Sequence, residues 1–493
     1  MSDMTEMQDS EFPSRRQFTW LVLVLLAYFG ARLLFFAASI SPVVPPDEAT
    51  NLGKCLVFSK VALLPENSAE SYQYGLVTNI PWLYFWIMGK VLHLNFFGIS
   101  DLLFLRLFNI PIAFGTVYFV WRLLRLLTDD RLTQILLVVA MTNTIMFSFL
   151  SAFVSYDNLT NLLAAMAVYY LFAFFKNRSG THLAASLLCQ LAGCLTKITF
   201  LPLVLVLNVL LFLHEFRNLP QLFSMLRSRS QLTGGRAPVI LAVALLLCLS
   251  LNVQLYGGNY LHYGGPLPAM SAVLPVEQVM QYRLEARSYI FDSFKKGSIS
   301  KEKALELTGQ IKNPGDREDA VYLIENWAVM KINGVPMMGL MEYLPIWVTQ
   351  MAAGVFGIFA HLAMPNHGPT MLPFALLAVL SLLAFLVRWR PREEGWSPFS
   401  LAAVALFYGY ILMSVVNYRD YLESGVLDFA LQGRYIFPVI GPSYVLGSLY
   451  LLRLFEGTAA RLAVFILTAL IFLASDFPYF LAHVTPEWFV LTN

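Results

Sequence analysis

The chain contains 493 residues, of which 58% are hydrophobic and only 13% are charged, and its mean hydropathy is +0.63. Soluble domains are roughly 45–50% apolar and about 25% charged, so this composition excludes a soluble globular protein and indicates a polytopic membrane protein. The net charge of +2, with no basic patch interleaved with aromatic residues, gives no indication of a nucleic-acid partner.

The apolar runs predict an all-α polytopic membrane protein with about eleven transmembrane helices, within a range of ten to thirteen. Lys and Arg concentrate in short cytoplasmic loops, and this rule makes residues 1–16 a cytoplasmic tail. The predicted spans are 17–40, 102–121, 132–151, 157–175, 181–196, 198–214, 237–256, 369–387, 398–416, 435–452 and 462–482.

The spans predict an N-terminal transmembrane module (17–256), an external helical region (257–368) and a C-terminal transmembrane module (369–493). The first external loop, 41–101, contains the apolar stretch 80–94, and the external region contains the apolar stretch 343–364. Both stretches carry polar and aromatic residues, which favours outward juxtamembrane or interfacial segments over full spans. Within the external region, three helices are predicted at 276–294, 300–311 and 316–330, with Asp316 as the N-cap of the last.

The first external loop carries Pro45-Pro46-Asp47-Glu48 near its start, shortly after the first span. Proline and acidic residues favour a helix start, and on that helix Asp47, Asn51 and Lys54 share one face. A carboxylate at this boundary could act as a general base towards a hydroxyl group. The alternative is a helix cap that only satisfies backbone N–H groups.

Three further charged residues lie at the same predicted outer boundary. Asp157 lies at the start of a predicted span, where it is either a functional carboxylate or the N-cap of that helix. Lys197 lies between two apolar runs, where a lysine either extends its amine towards the membrane surface or holds a phosphate. Arg434 follows Gly433 at a helix start, which suits either an interfacial anchor or a phosphate site.

In their order and sidedness, these motifs resemble the type C membrane glycosyltransferases, which use a polyprenyl-phosphate-linked sugar. Pro45 to Glu48 is similar to the first acidic motif of that family, and the segment 81–86 to its aromatic juxtamembrane segment. Arg106-Leu107-Phe108-Asn109 is similar to the start of the second span. Ser155-Tyr156-Asp157, Leu195-Thr196-Lys197 and Gln432-Gly433-Arg434-Tyr435 resemble a second acidic site, a lysine turn and a motif of one bacterial branch with PPDE and QGRY signatures.

The resemblance implies inverting transfer of a sugar from a polyprenyl-phosphate donor to an acceptor hydroxyl on a glycan, lipid or protein, at the periplasmic face of a bacterial inner membrane. Asp47 would be the general base, and Glu48 and Asp157 would orient the acceptor or a divalent cation. The residues implied to bind substrate or lipid phosphate are Asn51, Lys54, Lys197, Gln432, Arg434 and Tyr435. The related branch usually has His where this chain has Asn51, so an imidazole or metal-binding role does not transfer to that position.

Other functions stay open at this point. A polysaccharide polymerase or ligase also acts on lipid-linked sugars outside the membrane. A secondary transporter would place ionisable residues near the middle of the bilayer and would have related halves. A scaffold protein could use the long external region to bind a partner. The sugar, the acceptor and the oligomeric state do not follow from the sequence.

Overall fold

The computed structural model of the chain describes residues 13–66, 68, 70–218, 236–366, 368–427 and 431–490. Most of the predicted cytoplasmic tail, residues 1–12, lies outside this part. The described part of the N-terminal module forms ten helices: α1 (Arg15–Ser39), α2 (Glu48–Ser59), α3 (Leu83–Val91), α4 (Asp101–Leu124), α5 (Arg131–Thr142), α6 (Ile145–Ser151), α7 (Tyr156–Asn177), α8 (Gly180–Cys194), α9 (Leu201–Glu215) and α10 (Arg236–Asn252).

A mostly polar helical region follows α10. Its helices are α11 (Gly258–Tyr263), α12 (Met270–Val273), α13 (Val276–Val279), α14 (Arg283–Lys295), α15 (Lys301–Thr308) and α16 (Pro314–Asn333). The N-cap of α16 is Asn313, whose side chain accepts from the backbone N–H of Asp316, so the prediction that Asp316 caps this helix was wrong. Asn313 precedes Pro314, which occupies the first helical position and therefore moves the cap upstream.

The remaining chain returns to the membrane through an amphipathic helix, α17 (Leu340–Val355), and a short antiparallel hairpin, β1 (Ile358–Phe359) and β2 (Ala363–Met364). The last helices are α18 (Leu372–Arg388), α19 (Pro391–Glu394), α20 (Ser397–Ile411), α21 (Tyr418–Ser424), α22 (Ile440–Arg453), α23 (Thr458–Ala474) and α24 (Phe477–His483). A 3₁₀ segment, Gly433–Val439, leads into α22.

The structure confirms an all-α polytopic membrane protein. In the described residues, eight helices are long and apolar enough to cross a membrane, and the bent pair α5 and α6 would be a ninth. The other two predicted spans, 181–196 and 369–387, correspond to the shorter helices α8 and α18, with 15 and 17 residues. Helix α7 lies at the centre of the bundle, because 78% of its apolar window is buried, against 11% for the span Val239–Tyr263.

Two breaks in the membrane helices are joined by one buried ion pair. Helices α5 and α6 meet at an angle of 65°, and Asp476 separates α23 from α24. Arg32 of α1 pairs with Asp476 and donates to the carbonyl oxygen of Thr142 over 2.7 Å, while Ser148 donates to Asp476 over 3.0 Å. A charge inside a bilayer requires such partners, and here it also satisfies a carbonyl freed by the bend.

The membrane helices have two chemically distinct ends. At one end, called here the acidic end, lie residues 40–48, 152–157, 195–197 and 431–434. At the other end, the basic end, loop residues meet in pairs: Arg461 contacts Asp130 over 2.8 Å, and Lys176 donates to the carbonyl oxygen of Leu126 over 2.8 Å. The fold therefore collects the acidic motifs of the sequence at one end of the bundle.

Candidate active site

Asp47 lies immediately before α2 in an unusual backbone conformation. Its φ and ψ are 56° and 12°, in the left-handed region, and Arg178 is the only other non-glycine residue with positive φ among the residues described. Asp tolerates this region better than most residues, but such outliers are concentrated at functional sites. The side chain makes no cap bond with α2. The carboxylate is therefore available for other contacts, which the helix-cap alternative would not allow.

Arg434 joins the two carboxylates that the sequence predicted to be functional. Its Nη2 is 3.3 Å from Oδ2 of Asp47, and its Nη1 is 3.5 Å from Oδ2 of Asp157. Asp157 is free to make this contact because Ser155 is the N-cap of α7 and accepts from the backbone N–H of Asp157. Lys197 forms a second ion pair with Asp157. Four residues from four separate chain segments thus form one charged cluster.

The members of this cluster differ in their exposure. The side chains of Asp157, Arg434 and Lys197 are only 3–7% exposed, whereas the side chain of Asp47 is 37% exposed. Aromatic rings surround the buried cations, since Lys197 Nζ lies 5.1 Å from the ring centre of Tyr156 and 4.8 Å from that of Tyr435. Asp47 is consequently the carboxylate of the cluster that a substrate can reach.

Glu48 makes structural contacts that the sequence did not predict. Its carboxylate is buried, accepts from Nε of Arg106 over 3.0 Å and accepts from the backbone N–H of Val154 over 2.9 Å. Nη1 of Arg106 donates to the carbonyl oxygens of Ala37 and Ile40 over 2.9 and 2.8 Å. Glu48 thus joins the end of the first span, the start of α2 and the turn before Asp157.

The predicted shared face of Asp47, Asn51 and Lys54 does not form as expected. Asn51 is buried and donates to the carbonyl oxygen of Val154 over 3.0 Å, so it serves the same junction as Glu48. Asp47 precedes the helix in a left-handed turn and is not part of its face. Lys54 is partly buried, with Nζ 5.2 Å from the ring centre of Phe85.

The segment 432–435 meets α17 through backbone contact. A Cβ atom on Gly433 would lie 2.2 Å from the carbonyl carbon of Gly354, so the glycine permits close packing of two backbones. On either side of it, Oε1 of Gln432 and Nε of Arg434 are buried without a hydrogen-bond partner in the described part of the chain. Buried polar atoms of this kind require an explanation, and a bound ligand is one. The backbone carbonyl of Tyr435 accepts from the hydroxyl of Tyr408 over 2.8 Å.

A cavity of about 500 Å³ opens beside Asp47. This volume lies within the range of small-molecule sites in proteins. The cavity lies between the first loop and the start of α16, and the lining residues include Pro42, Val43, Pro45, Asp47, Glu48, Thr50, Asn313, Asp316, Asp319 and His361.

The site does not fit a divalent cation. Asp47 and Asp157 contact the same guanidinium group, and Glu48 contacts Arg106, so cations of the protein already neutralise the candidate metal ligands. No group of three His, Cys, Asp or Glu residues suitable for a metal occurs among the described residues. We therefore assign no catalytic step to a metal ion.

Sequence reasoning assigned no function to Arg106, although it quoted this residue within a motif. The available signal was a charged side chain five residues inside an apolar helix, where a charge is costly without a partner. Its partner, Glu48, is distant in the chain, so the pair itself could not be read from the sequence.

Solved structures that resemble this chain include two membrane proteins. ArnT from Cupriavidus metallidurans, in the apo state, is 12% identical with a TM-score of 0.37, over 88% of this chain and 77% of its own. The archaeal oligosaccharyltransferase AglB from Archaeoglobus fulgidus, in complex with an inhibitory peptide and a dolichol-phosphate, is 11% identical with a TM-score of 0.45, over 94% of this chain and 55% of its own.

This chain thus spans about half the length of AglB. No protein-family profile matches the sequence, and no curated protein sequence is significantly similar to it. At these identities and TM-scores the similarities do not support a functional assignment.

Proposed function

We propose that this protein is a membrane glycosyltransferase that moves a sugar from a polyprenyl-phosphate donor to an acceptor hydroxyl, with inversion at the anomeric carbon. The observation that carries the proposal is the cluster of Asp47, Asp157, Lys197 and Arg434 at one end of the membrane helices. It combines one accessible carboxylate with two buried cations, and transfer from a lipid phosphate requires both a proton acceptor and stabilisation of an anion.

In this mechanism Asp47 accepts the proton of the acceptor hydroxyl while the hydroxyl oxygen forms a bond to the anomeric carbon of the sugar. The bond between that carbon and the phosphate oxygen breaks, and its electron pair leaves with the lipid phosphate. Arg434 and Lys197 stabilise the negative charge that develops on the phosphate, which they do efficiently because they are preorganised and buried. Asp157 holds both cations in position.

The accessible surface of Asp47 supports its assignment as the base. Its cavity of about 500 Å³ has room for the acceptor group, and the buried Nε of Arg434 and Oε1 of Gln432 lack partners within the described structure. We assign the cavity to the acceptor and the side of Arg434 to the phosphate.

The sidedness of the charges supports the location of the site. Because Lys and Arg favour the cytoplasmic side, the basic end faces the cytoplasm and the acidic end faces outward. We therefore propose a bacterial inner membrane protein with the N-terminus in the cytoplasm and the active site on the periplasmic side.

The proposal is tested by incubating the purified protein in lipid nanodiscs with a panel of radiolabelled polyprenyl-phosphate sugars and measuring release of the lipid phosphate. We expect the wild type to consume one class of donor, and Asp47→Asn to abolish turnover while the protein remains folded. Asp101→Asn is the matched control, because Asp101 is an exposed carboxylate at the same end of the helices. Full turnover by Asp47→Asn would remove this residue from the mechanism, and the length of the product separates a single transfer from polymerisation.

A further inference from the structure

A second cavity, of about 300 Å³, lies between the first loop and the chain that follows α10. We call it the amide cavity, because the residues that line it include Asn79, Trp82, Gln254, Asn259 and His262. The residue after Trp82, Leu83, donates its backbone N–H to the carbonyl oxygen of Leu195 over 2.8 Å, which places the cavity at the acidic end of the membrane helices. The cavity is separate from the charged cluster, since it is not lined by Asp47, Asp157, Lys197 or Arg434.

One side of the amide cavity is formed by an irregular turn in a membrane helix. Helices α10 and α11 are joined by a π-helical turn, Val253–Gly257, and Gln254 of this turn lines the cavity. A π turn holds more residues than an α turn, and such turns occur frequently at functional sites. The hydroxyl of Tyr256 donates to the carbonyl oxygen of Cys194 over 2.7 Å. The irregular turn is thus fixed to the neighbouring helix α8.

Two buried asparagines form the base of the amide cavity. Nδ2 of Asn259 donates to the carbonyl oxygens of Asn79 and Pro266, both over 2.9 Å, and Nδ2 of Asn79 donates to Oδ1 of Asn259 over 3.1 Å. Tyr72 donates to Oδ1 of Asn79 over 2.7 Å. An amide nitrogen carries two hydrogens, and that of Asn79 uses one of them within the described residues. The side chain of Asn79, held in place by these bonds, therefore keeps one N–H for a ligand.

Three further polar groups on the wall are available for hydrogen bonds. The indole N–H of Trp82 and the amide of Gln254 form no hydrogen bond in the part of the chain that the structure describes, although Trp82 is only 6% exposed. Nδ1 of His262 is 2.7 Å from the carbonyl oxygen of Gly258, so it is the donor there. In the neutral imidazole, Nε2 is then an acceptor. The wall thus offers both donors and an acceptor.

The chemistry of the amide cavity fits an uncharged ligand that is rich in hydroxyl groups. No Lys, Arg, Asp or Glu is among the described residues that line it, so a phosphate or carboxylate would be bound without a counter-charge. A purely apolar ligand would leave the buried N–H groups without partners, which is also costly. A sugar satisfies such groups with its hydroxyls and packs its C–H surface on an aromatic ring. The Trp82 ring is held for this contact by stacking on Phe58, with ring centres 6.3 Å apart.

We propose that the amide cavity binds one neutral sugar unit. Hydroxyl oxygens of the sugar accept from Asn79 and Trp82, and its hydroxyl groups exchange hydrogen bonds with Gln254 and His262. The volume of about 300 Å³ is at the lower end of the range for small-molecule sites, as expected for a single unit. The inference goes beyond the proposed function, because the groups assigned to the transfer reaction lie outside this cavity. The sugar is a unit of a glycan or the head group of a glycolipid, which present the same chemistry.

The test is saturation-transfer NMR between the purified protein in lipid nanodiscs and the methyl glycosides of glucose, mannose, galactose and N-acetylglucosamine. We expect transfer to at least one of them with the wild type. Gln254→Leu/His262→Leu changes two exposed residues and leaves the buried asparagine pair intact. It should raise the Kd of that glycoside at least about tenfold, as expected from the loss of two hydrogen bonds. Leu261→Ala is the matched control, since Leu261 is 83% exposed on the same helix and does not line the cavity, and it should bind as the wild type does.

Two further measurements separate this site from the active site and define its ligand. Asp47→Asn, which should lose turnover, should bind the glycoside with the wild-type Kd, because Asp47 lines the other cavity. Methyl glucuronide carries a carboxylate and should bind at least about tenfold more weakly than the neutral glycoside. Displacement of the glycoside by glucosyl diacylglycerol in the nanodisc would identify the sugar as a glycolipid head group, and its persistence would identify it as part of a glycan.

The inference would be overturned if no neutral glycoside received saturation from the wild type, or if the double variant bound as tightly as the wild type. Loss of binding in Asp47→Asn alone would also overturn it, because the sugar would then occupy the cavity beside Asp47. Equal binding of methyl glucuronide would show that the site does not select a neutral ligand. A wild type that consumes no lipid-linked donor would end the proposed function and leave this result unaffected.

Discussion

Two adjacent acids, Asp47 and Glu48, should respond in opposite ways to the same chemical change. Glu48→Gln leaves Arg106 without its counter-charge inside the protein, and removal of one partner of a buried ion pair typically costs about 3–5 kcal/mol. Asp47→Asn removes a carboxylate that is 37% exposed, and Arg434 keeps its contact with Asp157, so we expect a loss of at most about 1 kcal/mol.

The assay is a pair of measurements on each variant in detergent: the melting temperature followed by size-exclusion chromatography, and the rate of donor consumption. Glu48→Gln should lower the melting temperature severalfold more than Asp47→Asn, whereas Asp47→Asn should eliminate turnover at an almost unchanged melting temperature. In Glu48→Gln/Arg106→Met both charges are absent, so the double variant should lose less stability than the sum of the two single variants.

One result would refute this reasoning. If Glu48→Gln melted like the wild type but lost turnover, Glu48 would contact the substrate, as the sequence suggested, and the ion pair with Arg106 would not be its main role. A melting temperature for Asp47→Asn as low as that of Glu48→Gln would show that Asp47 also stabilises the folded protein.

Three further substitutions change the guanidinium of Arg434, the amine of Lys54 and the backbone contact of Gly433. Arg434→Lys keeps a positive charge but cannot reach both carboxylates, so the KM for the lipid donor should rise about tenfold, equivalent to about 1.4 kcal/mol, and an unchanged KM in initial-rate measurements would contradict this. Because burial lowers the pKa of the Lys54 amine to about 8, Lys54→Met should raise the free energy of unfolding at pH 7 by up to about 3 kcal/mol. This advantage should shrink in melting curves between pH 8 and 10, because the folded wild type loses the Lys54 proton there while the unfolded chain retains it, so the wild type gains stability. Gly433→Ala should lower both the melting temperature and turnover because its Cβ meets the backbone of Gly354, while Gly447→Ala, whose Cβ would be 3.7 Å from Ser381 Oγ, should be tolerated.

The sequence predicted the membrane fold well because the signals for membrane helices are local. Apolar runs and the loops between them identified the eleven segments, and each corresponds to a helix or a bent pair of helices in the structure. The predicted spans that agree least with the structure are 181–196 and 369–387, because the helices there are shorter than a typical span. The cap of α16 was misplaced because Asn313 and Asp316 both favour caps and only the position of Pro314 distinguishes them.

The site was harder to predict because its contacts join distant parts of the chain. The charges of Asp157, Lys197 and Arg434 could be assigned to one end of the helices, and the structure brings them together. The sequence could not show that Gly433 packs on Gly354, because that contact depends on how the 3₁₀ segment crosses α17. It could not show the position of α14 either, since this helix is placed by the packing of Tyr289 and of the preceding Tyr282 on the first loop.

The left-handed turn at Asp47 explains how two consecutive carboxylates acquire different contacts. In a continuous helix, neighbouring side chains differ by about 100° around the axis, and Asp47 and Glu48 would both belong to the first turn of α2. The turn at Asp47 instead lets Glu48 begin the helix and reach Arg106, while Asp47 turns to Arg434. A left-handed residue with a side chain costs roughly 1–2 kcal/mol. The buried ion pair and the bond from Val154 hold Glu48 in place and fix the turn against that cost, while the carboxylate of Asp47 stays partly exposed beside the cavity.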